Sequence, residues 1–455
     1  MALKGLDIFK LSPKKNCKEC GCPTCMAFSM KVAQGGIALR ACPYFTEDAL
    51  EKLSAATAPL MKTIECGSGD ARLSLGGETV LFRHEKTFVN KTRYAVNVCN
   101  GMTEAEIDTR LAELMVVDFN RIGERMFVEL IYVNYCPEGK TDYLDLVKKA
   151  AETSRVLVLG CKDIEVAAAA LAVCARYQPI LNGADASNYE AMSAVASAAG
   201  VVLGITGSDI HERYELIKKL EALGNKNLII DVTGTTVKET FANAVGLRRT
   251  AIKDGDRSCG YPSLVNLMTL ATGDFHMQAA LASLFTLKYG SVVVMQRMTY
   301  AEALPLYGLR QNIFTDPQKP MKVEPGIYPI NGADKNSICV TTVAFALTYF
   351  VVSGELERSG VPCNLIISDA GGLSVLTAWA AGKLSAASVA KFFTEFDVAG
   401  KVNSRKLVIP GKGAVLKREM EEKLPDWEII IAPNEAIQLV KFMKDLSKQM
   451  EEKGV

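Results

Sequence analysis

Histidine is almost missing from this chain: His84, His211 and His276 are the only three in 455 residues, and none follows position 276. None of the three has a cysteine or a second histidine at metal-ligand spacing, and Asp274 two residues before His276 is a weak pairing. They read as packed or solvated side chains. An excess of one charge is also lacking, with 52 basic against 51 acidic residues and a formal net charge of +1. No field of one sign reaches toward nucleic acid or an anionic membrane, so partners are expected to be recognised by shape. No stretch approaches the roughly 18 to 20 uncharged apolar residues of a membrane span. The opening MALKGLDIFKLSPKK has no long apolar core with a small-residue cleavage site, which makes the expected location cytoplasmic. A Walker loop, a serine nucleophile elbow and a zinc-protease helix are all absent.

What the chain has is a composition of 49% apolar and 23% charged residues, enough to bury ordinary cores in two or three domains. It also has 13 cysteines. Nine of them (Cys22, Cys66, Cys99, Cys136, Cys161, Cys174, Cys259, Cys339 and Cys363) are scattered, many inside apolar runs, and read as buried free thiols in a reducing compartment. The other four form the pattern Cys17-x2-Cys20-x4-Cys25-x16-Cys42-Pro43. Thiolates this close together are the ligand set of an iron-sulfur cluster, because short loops bring three sulfurs to one site and a turn returns the fourth. MAFSMKVAQGG reads as a helix ended by Gly35-Gly36, which sends Cys42 back toward the others. Zinc is the alternative, but zinc ribbons usually carry two Cys-x2-Cys knuckles and the second is missing here. Cys22 remains able to replace a neighbouring ligand.

From about residue 60 to 320, short apolar runs alternate with amphipathic stretches. Expected strands are 79–83 (TVLFR), 94–98, 127–133, 156–160, 179–182, 201–205, 228–232 and 291–295. Helical patterns lie between most of them, including 104–126, 163–177 and 212–224. That count and length match a (β/α)8 barrel, with a doubly wound open sheet as the competitor. On a barrel, Asn97, Asn134, Asn182, Thr206, Ser208 and Asp231 fall near the functional rim, where such residues also simply end strands and cap helices.

PQKPMKVEPGIYPINGADKNS reads as a linker, followed by four strand-loop-helix repeats that make a parallel, flavodoxin-like sheet of about 135 residues. Small residues gather at the carboxyl ends of its strands, where such sheets bind ligands: Thr341-Thr342, Ala370 through Ser374, Gly411-Lys412-Gly413, and Pro433 through Ala436. Ser374 and Thr377 are placed to donate hydrogen bonds there. Plain turn geometry asks for the same glycines.

The opening KNCKECGCPTCMAFSMKVAQGGIALRACPYF, the central barrel pattern, and the VTT, GLSVLTAWAAGKLS and LVIPG segments together resemble one family along the whole length. This is the large, or gamma, subunit of the corrinoid iron-sulfur protein, part of the acetyl-CoA decarbonylase/synthase system of the reductive acetyl-CoA pathway. The resemblance implies three domains: a [4Fe-4S] module over 1–58, a TIM barrel over 59–320 and a corrinoid-binding domain over 321–455. It carries the cluster over to Cys17, Cys20, Cys25 and Cys42. It carries cobalt corrinoid contacts to Thr341, Thr342, Thr348, Ala370, Gly371, Gly372, Leu373, Ser374, Gly411 and Ala436. The implied function is that of a methyl carrier, whose cobalt(I) accepts a methyl group from methyltetrahydrofolate through a methyltransferase and delivers it to acetyl-CoA synthase. The cluster would reactivate cobalt(II). Whether such a carrier counts as an enzyme is a matter of definition; if it does, it is a transferase.

The implied partners are a small subunit forming a heterodimer, the methyltransferase, and acetyl-CoA synthase/carbon monoxide dehydrogenase, with no nucleic acid or membrane. The familiar B12-binding signature Asp-x-His-x-x-Gly gives cobalt a histidine, and this chain has none after His276. A corrinoid in the last domain is therefore expected base-off, which makes cobalt(I) easier to reach. The segments 56–71 and 317–332 read as a tether for the cluster module and a hinge for the corrinoid domain. Two other functions fit the residues alone: an iron-sulfur electron-transfer protein with flavin or nothing in its last domain, and a pterin-dependent methyltransferase working in the barrel.

Overall fold

Eight parallel strands, each buried on both faces, close on themselves in the centre of the chain. They are Arg93–Cys99, Leu130–Asn134, Val156–Gly160, Ile180–Ala184, Val202–Ile205, Leu228–Asp231, Ser263–Asn266 and Val292–Met295. The last pairs with the first through Val292↔Arg93, which completes a barrel and excludes the open sheet. The computed structural model describes residues 5–33, 36–46, 49–50, 53, 59–316 and 321–452. The chain divides into two compact units, Met1–Val117 with Val128–Phe314, and Asp118–Phe127 with Thr315–Val455.

Seven of the eight expected strands in this region are barrel strands, and one is not. Residues 79–83 form no strand; Phe82 is exposed and its ring stacks on His84. The eighth barrel strand is Ser263–Asn266, four residues beginning with a serine after Pro262, too short and too polar at its ends to stand out as an apolar run. The expected helix over 104–126 ends at Val116 and gives way to an antiparallel pair, Asp118–Arg121 with Glu124–Phe127, turned by Ile122 and Gly123 at positive φ. The helices after the strands start on capping side chains: Thr103, Asp142, Asp163, Asp209, Thr236 and Asp274 each accept backbone N–H groups. Asp274 is thus a helix cap rather than a partner for His276.

The tether expected over 56–71 is corrected in part. Residues 54–58 lie outside the described residues, but Thr63–Cys66 is a strand paired antiparallel with Leu73–Gly76. Ile64, Cys66, Leu73 and Leu75 share one core with Ala95, Leu130, Val156, Ile180, Val202 and Val292, at the beginnings of the barrel strands. The hairpin plugs the amino-terminal end of the barrel. Its Gly- and Ser-rich turn disguised it as a linker.

In the second unit a five-stranded sheet runs in the spatial order Gly326–Ile330, Cys363–Ser368, Ile338–Val343, Lys406–Ile409, Glu428–Ile431. The last four are parallel in the 2-1-3-4 order of doubly wound sheets. The first is antiparallel to Cys363–Ser368 and lies at the edge, where Pro329 costs no ladder hydrogen bond. That strand corrects the hinge expected over 317–332 in its second half only; residues 317–320 fall outside the described residues.

Alternation along Ile338–Val343 explains why both faces are covered. Cys339 and Val343 join the core under helices Val375–Ala380, Ala386–Glu395 and Lys417–Lys423, while Ile338 and Val340 join the core under Ala346–Ser359 and Leu439–Glu452. Among the described residues no helix is long and apolar enough to cross a membrane.

Candidate functional site

At the carboxyl ends of the parallel strands the second unit holds a cavity of about 320 Å³. Its floor is the end of strand Ile338–Val343, and its walls are the first turns of helix Ala346–Ser359, the start of Val375–Ala380, and the loops 410–412 and 432–436. Thr341, Thr342, Thr348, Ser374, Gly411 and Ala436 all line it. Ala370, Gly371, Gly372 and Leu373 do not. Ala370 and Leu373 pack into the sheet core, and Gly371 and Gly372, at φ 70° and 72°, form the left-handed turn that delivers Ser374.

The two threonines differ in what they do. The Thr341 hydroxyl donates to the Ile366 carbonyl at 3.0 Å. Thr342, 3% exposed, has a buried hydroxyl with no hydrogen-bond partner. An unpartnered hydroxyl in a buried position costs about 1–3 kcal/mol unless a ligand meets it. Ser374 and Thr377 face each other at 2.9 Å, so that pair is already partly satisfied.

Gly411 permits a close backbone approach: a β-carbon there would meet the Ala432 carbonyl oxygen at 2.5 Å and Pro433 at 2.7 Å. Lys412 and Glu435 pair at 3.3 Å beside this crossing. The rim is apolar and open to solvent, with Leu347 at 63%, Val351 at 45% and Leu376 at 49% exposure, and Ile437 just beyond it. The sequence reading missed these. Leu347 and Val351 are spaced i, i+4 in VAFALTYFVVSG, which is apolar on every side and so does not announce an uncovered face. The cavity lies at the strand ends, where such sheets bind ligands, and combines apolar walls with a few polar groups. No imidazole is available within this unit.

The amino-terminal cysteines also converge. Cys17, Cys20, Cys25 and Cys42 line one small cavity with Asn16 and Phe28. Lys14, Asn16, Lys18 and Gly21 all take positive φ, coiling the loop tightly ahead of helix Cys25–Ala33. The Asn16 side-chain oxygen accepts the Cys25 N–H at 2.8 Å while the Asn16 backbone N–H donates to the Cys25 sulfur at 3.3 Å. Burial raises the Cys42 pKa, the Tyr44 N–H lowers it, and charge on Cys20, Cys25 and Cys17 raises it again, so the four thiols share one electrostatic field. Gly36 closes the helix by donating to the Lys31 carbonyl at 2.8 Å; Gly35 lies outside the described residues. Cys22 is buried at 2% in the module's core and touches the same cavity.

Among the described residues no three His, Cys, Asp or Glu side chains are gathered as ligands of a single metal ion. Four thiols around one cavity, with a backbone N–H aimed at sulfur, are donors of the kind an iron-sulfur cluster takes, and the residues fit such a group.

The barrel mouth contains a third cavity, about 690 Å³, which Asn97 and Asn134 line. The other rim residues serve the fold: Thr206 bonds the Ala184 carbonyl, Ser208 bonds Glu212, and Asn182 donates to Asp231 at 3.1 Å in the barrel interior.

A (β/α)8 barrel combined with an open α/β sheet that carries a cavity at its strand ends, and with a four-cysteine module, defines a modular α/β protein. The family model described as CO dehydrogenase/acetyl-CoA synthase delta subunit matches residues 63–443, and an Fe-S cluster model matches 13–44. The chain is 37% identical over 446 residues to the corrinoid/iron-sulfur protein large subunit of Moorella thermoacetica, covering 98% of this chain and 99% of that one. It is 32% identical over 455 residues to the acetyl-CoA decarbonylase/synthase complex subunit gamma of Methanopyrus kandleri, covering 97% of each. The gamma subunit of Archaeoglobus fulgidus is 30% identical over 447 residues, with 94% of this chain and 95% of that one covered. The chain belongs to the family of corrinoid/iron-sulfur protein large subunits, the gamma subunits of acetyl-CoA decarbonylase/synthase.

Proposed function

We propose that this chain is a methyl carrier, taking a methyl group from methyltetrahydrofolate through a methyltransferase and passing it to acetyl-CoA synthase. The observation that carries the reading is the unpartnered Thr342 hydroxyl in an apolar-rimmed cavity at the strand ends of the second unit. In this reading the segment 321–455 holds a cobalt corrinoid, 1–58 holds a [4Fe-4S] cluster on Cys17, Cys20, Cys25 and Cys42, and 59–320 is the barrel between them in sequence. The corrinoid supplies low-valent cobalt as a methyl acceptor, and the cluster supplies single electrons at low potential.

The chain's own residues bind and shield. Thr342 offers a hydrogen bond to the ligand's polar edge, and Thr348 and Ser374 stand beside it. The 370–373 turn positions Ser374. Gly411 and Ala436, which line the cavity without bulky side chains, would let the backbone approach a bound corrinoid. This unit has no histidine, so a corrinoid held here would find no imidazole donor within it, which would favour a base-off, reducible state. Leu347, Val351 and Leu376, exposed at the rim, fit a surface covered by the ligand and by a second subunit, in keeping with a heterodimer that also meets the methyltransferase and acetyl-CoA synthase/carbon monoxide dehydrogenase. The location proposed is cytoplasmic.

Anaerobic purification followed by an absorption spectrum and metal analysis tests this. About four iron and one cobalt per chain are expected. Iron with flavin and no cobalt would replace the reading with electron transfer. Folate binding by this chain without a partner would favour a barrel methyltransferase.

A further inference from the structure

Two thiols meet at the mouth of the barrel. Cys99 is the last residue of the first barrel strand, and Cys136 lies two residues beyond the end of the second. Their sulfurs are 2.8 Å apart. The pairing is held by its surroundings. The Asn100 side chain clamps the second loop, accepting the Cys136 N–H at 2.7 Å and donating to the Cys136 carbonyl at 2.9 Å. The Gly101 N–H donates to the Cys99 sulfur at 3.3 Å, and the Asn134 amide lies 3.7 Å from each sulfur. Of the nine cysteines outside the cluster pattern, seven are buried as the sequence led one to expect; Cys99 and Cys136 are the two that are not. Cys99 also lines the 690 Å³ cavity, which gives a small reagent access to it.

We propose that Cys99 and Cys136 form a thiol–disulfide exchange site that accepts low-molecular-weight disulfides. Burial, reinforced by the neighbouring Cys99, pushes the Cys136 thiol up to about 11, with hydrogen bonds from Gly101 and Asn134 only partly opposing that. Cys99 lines the barrel-mouth cavity and Cys136 does not, so Cys99 is the sulfur a reagent reaches and the attacking one. Its bond to one sulfur of the reagent forms as the reagent's own S–S bond breaks and one small thiol leaves. Cys136, losing its proton, then attacks the Cys99 sulfur and expels the second small thiol. Two protein thiols and one small disulfide become one protein disulfide and two small thiols, the reagent gaining the two electrons and two protons that the protein gives up. The sulfurs need only close from 2.8 Å to a bond of about 2.05 Å, a movement within reach of the two loops. The product ties the loops after the first two barrel strands together and removes a thiol from the cavity.

Trypsin places the two cysteines on separate peptides, 94–110 and 126–140, each with a single cysteine. The iron-loaded full chain, incubated anaerobically with glutathione disulfide and digested without reduction, is expected to yield these two peptides as a cross-linked pair. Dithiothreitol should release them, and the visible absorption of the cluster should stay unchanged. Cys136→Ser should trap glutathione on Cys99, and Cys99→Ser should leave Cys136 unmodified. Absence of the cross-linked pair at equilibrium, or persistence of two separate glutathione adducts in the unmutated protein, would overturn the proposal. Glutathione trapped on Cys136 rather than Cys99 would overturn the assignment of the attacking sulfur.

Discussion

Gly411 passes so close to Ala432 that a β-carbon at position 411 would stand 2.5 Å from the Ala432 carbonyl oxygen. The obstacle is backbone, which cannot swing aside as a flexible side chain would. Gly411→Ala therefore pushes apart the loops 410–412 and 432–436 that wall the cavity. The expected cost is about 1–3 kcal/mol in stability and a roughly tenfold loss of corrinoid affinity, equal to about 1.4 kcal/mol. Anaerobic titration of the apoprotein, followed by absorbance, reads the second effect; unchanged affinity would remove the loops from the binding site.

Thr342→Val keeps the shape of the side chain and deletes the hydroxyl that has no partner within the protein. If the hydroxyl is spent on the ligand, the variant binds corrinoid about tenfold more weakly while the apoprotein stays as stable or gains about 1 kcal/mol. Thr341→Val is the contrast, because it breaks the 3.0 Å bond to Ile366 and is expected to destabilise the apoprotein by about 1 kcal/mol. Equal behaviour of the two variants in both assays would contradict the distinction.

How much of this could be read from the residues depended on how many faces each strand buries. NLIISD and KLVIPG are covered on both faces, so their unbroken apolar runs announce parallel strands. Ser263–Asn266 is just as central but only four residues long, and TVLFR has the composition of a strand without pairing to anything in the sheet. The plug hairpin was concealed by its turn, and the edge strand Gly326–Ile330 by its proline. At the site, glycine and threonine were legible because they depart from apolar patterning at strand ends. The exposed Leu347 and Val351 were not, since an uncovered apolar face is a fact about neighbours rather than about sequence.

Cys42 and Cys22 should part company on substitution. Cys42 shares the field of Cys17, Cys20 and Cys25, whereas Cys22 is a small buried hydrophobe beside Ile8 and Phe28. Cys42→Ala is expected to lose the cluster and with it reductive reactivation, yet to transfer a methyl group normally when supplied pre-reduced. Cys22→Ala should retain about four iron per chain. Loss of methyl transfer itself in Cys42→Ala would make the cluster structural.

Asp231 gives the barrel a pH dependence of definite sign. Burial raises its pKa above the usual carboxylate range, and hydrogen bonds from Thr233 and Asn182 only partly oppose that. Below the unfolded value of about 3.9 both states hold the proton and nothing changes. Between that value and the raised one the folded state keeps a proton that the unfolded chain has lost, so stability falls as pH rises through this window. Asp231→Asn, which can still accept the Asn182 amide, is expected to flatten that part of the denaturant-unfolding profile; an unchanged slope would assign it to other groups.

Arg310 and Glu129 form an ion pair inside the first unit, with side chains 2% and 3% exposed. The guanidinium also donates to the Thr92 carbonyl at 3.0 Å and lies 4.5 Å from the centre of the Tyr307 ring. Burial lowers the Arg310 pKa, but the Glu129 charge outweighs it and holds the guanidinium protonated. Glu129 accepts further bonds from the Tyr94 N–H and from Arg93, both at 3.3 Å, and so gathers the start of the first barrel strand against the helix Tyr300–Ile313. Removing Arg310 leaves the buried Glu129 with Arg93 as its remaining cationic partner, and Arg310→Met is expected to cost up to about 3–5 kcal/mol. Adding Glu129→Gln removes the under-compensated charge and should recover a large part of that loss, because desolvating two charges offsets most of what their pairing contributes. Urea unfolding of the two variants and the unmutated protein measures the difference; a double variant no better than Arg310→Met would mean that the bonds to Thr92 and Tyr94, rather than charge pairing, hold this corner of the barrel.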